Sequence, residues 1–239
     1  YKIHVADELD CRVVSHDWEF ARERAADIAE HWTRMRQQKP ALFDGRVFLT
    51  CKWSMERGNN KTVLKADHFE TGFSAFQAWQ HFGCPGNVCN SFAAAALRGS
   101  DGGYLLGEMG AHTANAGQLY FPCGTPDKSD ERNGKLDLYG SVFRELAEET
   151  GLMQPDVRPG QRWTIINTGG TLACLLDVHS GYTVRELAQM AGAFLSREHK
   201  AELAGLYCVS SPSDIRPECM PAYIQAFFRE KFSRSPAGQ

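Results

Sequence analysis

What the chain lacks narrows its class. There is no long hydrophobic run among its 239 residues. The most apolar stretches, such as "SFAAAAL" and "TLACLLDV", fall far short of the roughly 20 residues that span a bilayer, so no membrane partner is expected. There is no excess of basic charge either. Lys and Arg number 26 against 29 Asp and Glu, a formal net charge of −3. Without a positive field to hold a phosphate backbone, nucleic acid is not an expected partner. A cysteine framework is missing as well. The eight cysteines are scattered and several sit inside apolar runs, which suits buried free thiols in a reducing cytoplasm better than disulfides. The nearest pair, Cys84 and Cys89 in "HFGCPGNVC", has His81 close by but no fourth zinc ligand, and reads as a Pro-Gly turn. Repeats and low-complexity tracts are absent, and the first residues, "YKIHVADELDCRVV", show no basic start before an apolar run, so no secretory signal is expected.

What is present is the make-up of an ordinary globular chain, 43% hydrophobic and 23% charged, long enough for a substantial core. "VSHDWEFARERAADIAEHWTRMRQQKP" carries apolar residues at helical spacing and is predicted as one helix closed by Pro40. "RVFLTCKWSM" and "KTVLKADHF" have strand composition, and "SAFQAWQHFG" a short helix ending at Gly83. "VCNSFAAAALRG" and "GGYLLGEMG" are predicted to pair as a hairpin through "SDGG", and "QRWTIINTGG" with "TLACLLDVHS" as a second. "TVRELAQMAGAFLSREHKAELAG" reads as helix broken near Ser196, "LYCVSS" as strand, and "MPAYIQAFFREKF" as a closing helix. The mixture predicts an α+β fold or an α/β/α sandwich with a mixed sheet. A soft boundary divides an N-terminal α/β extension, 1–87, from a main domain, 88–239.

Residues 144–152 read "RELAEETGL". On a helix, Glu145, Glu148 and Glu149 fall within an arc of roughly 100°, away from Val142 and Leu146. Such acids repel one another, and they lie toward the helix C-terminus, where the dipole disfavours them. Arg144 and Glu148 form the compensating pair, and Gly151 suits a left-handed cap. The conflict is what an oxygen-ligand site for a hard divalent cation would produce; a solvated acidic face is the alternative.

The order of residues also matters. Arg144, Glu145, Leu146, Glu148, Glu149, Gly151 and Leu152 match every fixed position in the core of the Nudix box, and "GQLYFPCG" resembles the strand and turn that lead into it, with Gly124 in place of the box's first glycine. The chain therefore resembles the Nudix hydrolase family from about residue 88 to 210, most specifically over 117–152. The resemblance implies an α/β/α sandwich and hydrolysis of a nucleoside diphosphate linked to another moiety, with Mg²⁺ or Mn²⁺. By position, Glu145, Glu148 and Glu149 are implied as metal-binding and catalytic carboxylates, Arg144 as the residue that holds Glu148, and the Gly124 carbonyl as a further metal ligand.

The chain departs from the family's pattern in front of this helix. Residues 125–143 make the spacing six residues longer than the box, and the place of the first glutamate falls on Leu136. Asp127, Asp130, Glu131 and Asp137 are the nearby acids that could substitute, and none is singled out by spacing. This gap leaves a second reading open, a non-catalytic nucleotide-ligand sensor or interaction protein. Glu186, Glu198 and Glu202 are candidates for a general base. Tyr120 and His112 are candidate substrate contacts; Tyr120 and Phe121 are neighbours in a strand, so one faces a pocket and the other the core. The N-terminal part, with "KPALFDG" and "FETGFSAFQAWQHFG", resembles the extension of the Nudix subgroup that hydrolyses UDP-glucose and UDP-galactose, and it also leaves room for a lid or a homodimer contact.

Overall fold

The computed structural model describes residues 1–58 and 60–234. The elements in order are β1 (Lys2–Ala6), β2 (Glu8–Val13), α1 (Glu19–Glu23), α2 (Ala25–Gln38), β3 (Arg46–Gly58), β4 (Lys61–Gly72), α3 (Phe73–His81), β5 (Asn90–Arg98), β6 (Tyr104–Met109), β7 (Leu119–Tyr120), β8 (Cys123–Gly124), β9 (Glu131–Arg132), β10 (Lys135–Leu136), α4 (Leu138–Thr150), β11 (Val157–Asn167), β12 (Thr171–Ser180), α5 (Val184–Leu195), β13 (Leu203–Val209) and α6 (Ala222–Arg234). The main sheet runs β1-β11-β12-β5-β6-β13, with β7 against β6 and β8 against β5. It is mixed, because β12 and β5 are parallel while the other pairs are antiparallel. A second sheet runs β3-β4-β2-β10-β9.

β5 explains how the layers stack. Its residues are apolar on both sides, as a central strand requires. Ala93, Ala95 and Leu97 face α4, α5 and the inner side of the second sheet, while Phe92, Ala94 and Ala96 face α6. The small side chains let three layers approach closely. The outer side of the second sheet carries Val47, Leu49 and Phe69 under α1, α2 and α3. The expected mixed sheet between helix layers is therefore the one that forms. Among the described residues no helix is long and apolar enough to cross a membrane.

Several local expectations are corrected. The first helix starts only at Glu19 and breaks at Arg24, where the backbone leaves the helical region (ψ 21°) and Trp18 turns into the core under α3. The unassigned N-terminus supplies two strands: β1 pairs β11 at the edge of the main sheet, and β2 lies parallel to β4. The boundary near 87/88 falls between α3 and β5, and β1 reaches across it. β5 and β6 pair only at Arg98 and Tyr104 before separating to take β8, β7, β12 and β13 as neighbours. Helix α5 ends at Leu195, and the chain after it returns as β13. The Cys84–Cys89 segment is a turn, and all eight cysteines are free.

Candidate active site

Helix α4 begins one turn earlier than its periodicity suggested. Asp137 caps it by accepting from the Gly140 N–H at 2.8 Å, and Leu138 enters the core. Gly151 ends it in the left-handed conformation, φ 71°, with its N–H on the Ala147 carbonyl. Val142 and Leu146 anchor it under the main sheet. That seating places the three glutamates at different depths. Glu149 is 6% exposed and accepts from the Cys123 N–H at 3.1 Å. The Glu145 side chain is 12% exposed, and the Glu148 side chain 60%.

Gly124 meets Glu145 directly. A Cβ built on Gly124 would stand 2.6 Å from the Glu145 Cδ, so only glycine leaves room for the carboxylate as it lies. β8 thus brings a bare main chain against Glu145 and an N–H against Glu149. Cys123 precedes Gly124 in β8, paired with Ala94, and burial pushes its thiol well up.

The electrostatics follow from depth. Burial pushes Glu145 up to about 7, against the pull of Arg144, and the charges of Glu148, Glu202 and Asp130 add to the rise. Glu149 is pushed well above the ordinary carboxylate range by burial and then by Glu202 and Glu145, with the Cys123 N–H working the other way. Arg144 lies 2.8 Å from Glu145, 3.3 Å from Glu148 and 2.9 Å from Asp130. Among the described residues no Lys, Arg or His pairs with Glu149.

The lengthened loop has a defined structure. Asp127 caps a short 3₁₀ turn at Lys128–Asp130. β9 and β10 then form a hairpin whose turn residues Asn133 and Gly134 both have positive φ, the two-residue type that suits strand twist. β10 pairs β2, and Phe48 of β3 donates to the Pro126 carbonyl at 2.8 Å, so the loop is fixed to the second sheet. This fixing carries Asp130, 3% exposed, to Arg144. Of the acids near the gap, Asp130 reaches Arg144 and Asp127, which caps the 3₁₀ turn, lines the cleft; Asp137 caps α4 and Glu131 pairs with Lys128, while Leu136, at the place of the first glutamate, is core. Spacing alone held no signal for Asp130, because the contact depends on a hairpin joined to a strand about 120 residues earlier.

A cleft of about 690 Å³ opens at Cys123, Gly124 and Asp127. Tyr120, His112 and Glu202 line it, while Phe121, just past the end of β7, is fully buried against α6. Burial pushes the Tyr120 phenol up to about 12, leaving it a neutral hydrogen-bonding group. Glu202, exposed at the rim, is raised by partial desolvation there, with His112 pulling it down and Glu148 pushing it up. Glu186 is instead the capping partner of Thr183 at the start of α5, and Glu198 is not among the cleft residues. Tyr104 and Trp163 are core residues, and Tyr139 is exposed on α4.

No family model and no curated protein sequence matches the chain. Among solved structures, it is similar to the MutT protein of Methanosarcina mazei Go1, at 24% identity over 60% of this chain and 92% of that one, TM-score 0.40. It is also similar to RenU, a Nudix hydrolase of M. smegmatis (13% identity, 62% and 88% of the two chains, TM-score 0.39). A third is the Nudix domain of Shewanella oneidensis NrtR in complex with ADP-ribose (16%, 61% and 86%, TM-score 0.39).

Proposed function

We propose that the chain is a Nudix-type, divalent-metal-dependent hydrolase of a phosphoric anhydride. Its substrate class would be a nucleoside diphosphate linked to another moiety, with a nucleotide sugar such as UDP-glucose as the leading case. The observation that carries the reading is the pair of carboxylates held against β8 beside the cleft: Glu145 lies on bare Gly124 with Arg144 as its cationic partner, and Glu149 is buried with the Cys123 N–H and no cationic partner among the described residues. Buried anions short of positive charge are costly unless a cation joins them. The donor set is all oxygen, which suits Mg²⁺ or Mn²⁺. Glu145, Glu149, Glu148 and the Gly124 carbonyl are the groups that would hold the ion. A cation bound there would neutralise the diphosphate and lower the pKa of a bound water.

The chain's own residues do the rest. Arg144 holds Glu145 and Glu148, and buried Asp130 holds Arg144 from behind. Tyr120 and His112 border the substrate on the cleft wall. We assign the proton of the attacking water to Glu202, which lies close enough for its charge to act on Glu149. Water's oxygen bonds to phosphorus as the anhydride P–O bond breaks, giving a nucleoside monophosphate and the phosphorylated partner.

One observation favours the sensor reading. Among the described residues no three His, Cys, Asp or Glu side chains already converge as a metal group, and Glu148 points to solvent. A screen for nucleoside monophosphate formation from nucleotide sugars, dinucleotides and nucleoside triphosphates, with Mg²⁺ and Mn²⁺, separates the two. Metal-dependent turnover supports the hydrolase; calorimetric binding without product after prolonged incubation supports the sensor.

A further inference from the structure

The cleft continues beyond the carboxylates into a second half built largely by the N-terminal residues. Leu42, Phe43, Arg46, Phe73 and Phe76 line it, and Asn90 and Phe92 of β5 complete it. Two features there have no structural use. Phe43 is 81% exposed, the most exposed large hydrophobic side chain among the described residues. Its backbone is nevertheless fixed. The Leu42 N–H reaches the Lys39 carbonyl at 3.1 Å, the Ser74 N–H reaches the Asp44 carboxylate at 2.7 Å, and the Phe73 N–H reaches the Gly45 carbonyl at 2.9 Å. A ring held in place yet left in water forfeits its burial, unless something flat covers it. The second feature is Asn90. It is 9% exposed, and its side-chain oxygen has no hydrogen-bond partner, although its main-chain N–H is satisfied by the Gly170 carbonyl at 2.8 Å. A buried acceptor without a donor is rare in a folded protein.

We propose that this half of the cleft is the nucleoside pocket, with Phe43 as the stacking surface for the base and the Asn90 side-chain oxygen as acceptor for an N–H or O–H of the nucleoside. The inference rests on the reading of Glu145 and Glu149 as the reacting end, and it gives the substrate a direction: phosphates at Gly124, base toward α3. Arg46, paired with Glu70, and Lys200 also line the cleft. A flat ring with a hydrogen-bond donor fits the four phenyl rings and the lone acceptor.

The test is calorimetry on the whole chain with Mg²⁺, using UMP, CMP, AMP, GMP and inorganic pyrophosphate as probes. The wild type is expected to bind at least one nucleotide more tightly than pyrophosphate. Phe43→Ala should weaken that nucleotide roughly five- to hundred-fold, the range for loss of one base–aromatic stack, and leave pyrophosphate within two-fold. Phe43→Tyr should restore the affinity. Asn90→Ala, checked for an unchanged melting temperature, should weaken the same nucleotide and leave pyrophosphate alone. Equal effects on nucleotide and pyrophosphate, or no effect of Phe43→Ala, overturn the pocket. Failure of the underlying reading looks different: pyrophosphate then binds without regard to Mg²⁺ or to Glu149→Gln.

Discussion

Gly124→Ala separates the site from the fold. A Cβ there would lie 2.6 Å from the Glu145 Cδ. Carbon–carbon contacts sit near about 3.5–4.0 Å, so the carboxylate must retreat by about 1 Å. Gly124 is not in the left-handed region, so alanine suits its backbone. The neighbour that must move is the end of a flexible side chain, and the smaller unfolded-state entropy of alanine offsets part of the cost. The stability change should therefore stay within about 1 kcal/mol. The effect on catalysis should be far larger, because a shift of about 1 Å in a reacting group can cost about 10²-fold. The assay pairs a thermal melt with kcat/KM for the best substrate of the nucleoside monophosphate screen, at saturating Mg²⁺. Activity within two-fold of wild type would refute the claim that Glu145 works from its place on Gly124. A collapse of the melt would refute the claim that its carboxylate is free to move.

Three further outcomes follow from the same geometry. Asp130→Asn removes the buried partner of Arg144 and should lower stability by about 1–3 kcal/mol, read by urea denaturation, with activity falling as Arg144 loosens. Glu149→Gln replaces a buried charge by a neutral amide; in metal-free buffer its melting temperature should equal or exceed wild type, while activity drops at least about 10²-fold. A lower melting temperature would show that the carboxylate is structural. His68, fully buried between the sheets, is held by burial down to about 4 from an ordinary 6.5. The unfolded chain takes up this proton as pH falls through 6.5 and the folded chain does not until about 4. Stability is therefore complete above 6.5 and is lost on acidification, by about 2 kcal/mol at pH 5 from this group. Denaturation curves at pH 7 and pH 5 should show that loss, and His68→Leu should remove it.

The acidic helix was legible because its signal is local. Arg144 through Thr150 sit in one helix capped by Gly151, and a helix in conflict with its own dipole can be read from so short a run. What escaped was set by distant partners. β1 and β2 have no strong pattern of their own, and their strand character comes from β11 and β4. The strand read at "LYCVSS" forms, but pairing with β6 starts it at Leu203, within the stretch that was expected to be helix. The loop before α4 looked like spacer, because its hairpin gains stability from β2 and its key acid, Asp130, has meaning only beside Arg144. Periodicity placed Glu149 with the solvent-side acids; the seating of Val142 and Leu146 turned it under β8.

The measurement that bears most directly on the central claim is nucleoside monophosphate release from a nucleotide sugar by wild type and Glu149→Gln, each with Mg²⁺ and with the metal chelated. The account predicts turnover only in wild type with Mg²⁺, with the variant folded and inactive. Turnover that survives chelation, or a variant as active as wild type, would contradict it.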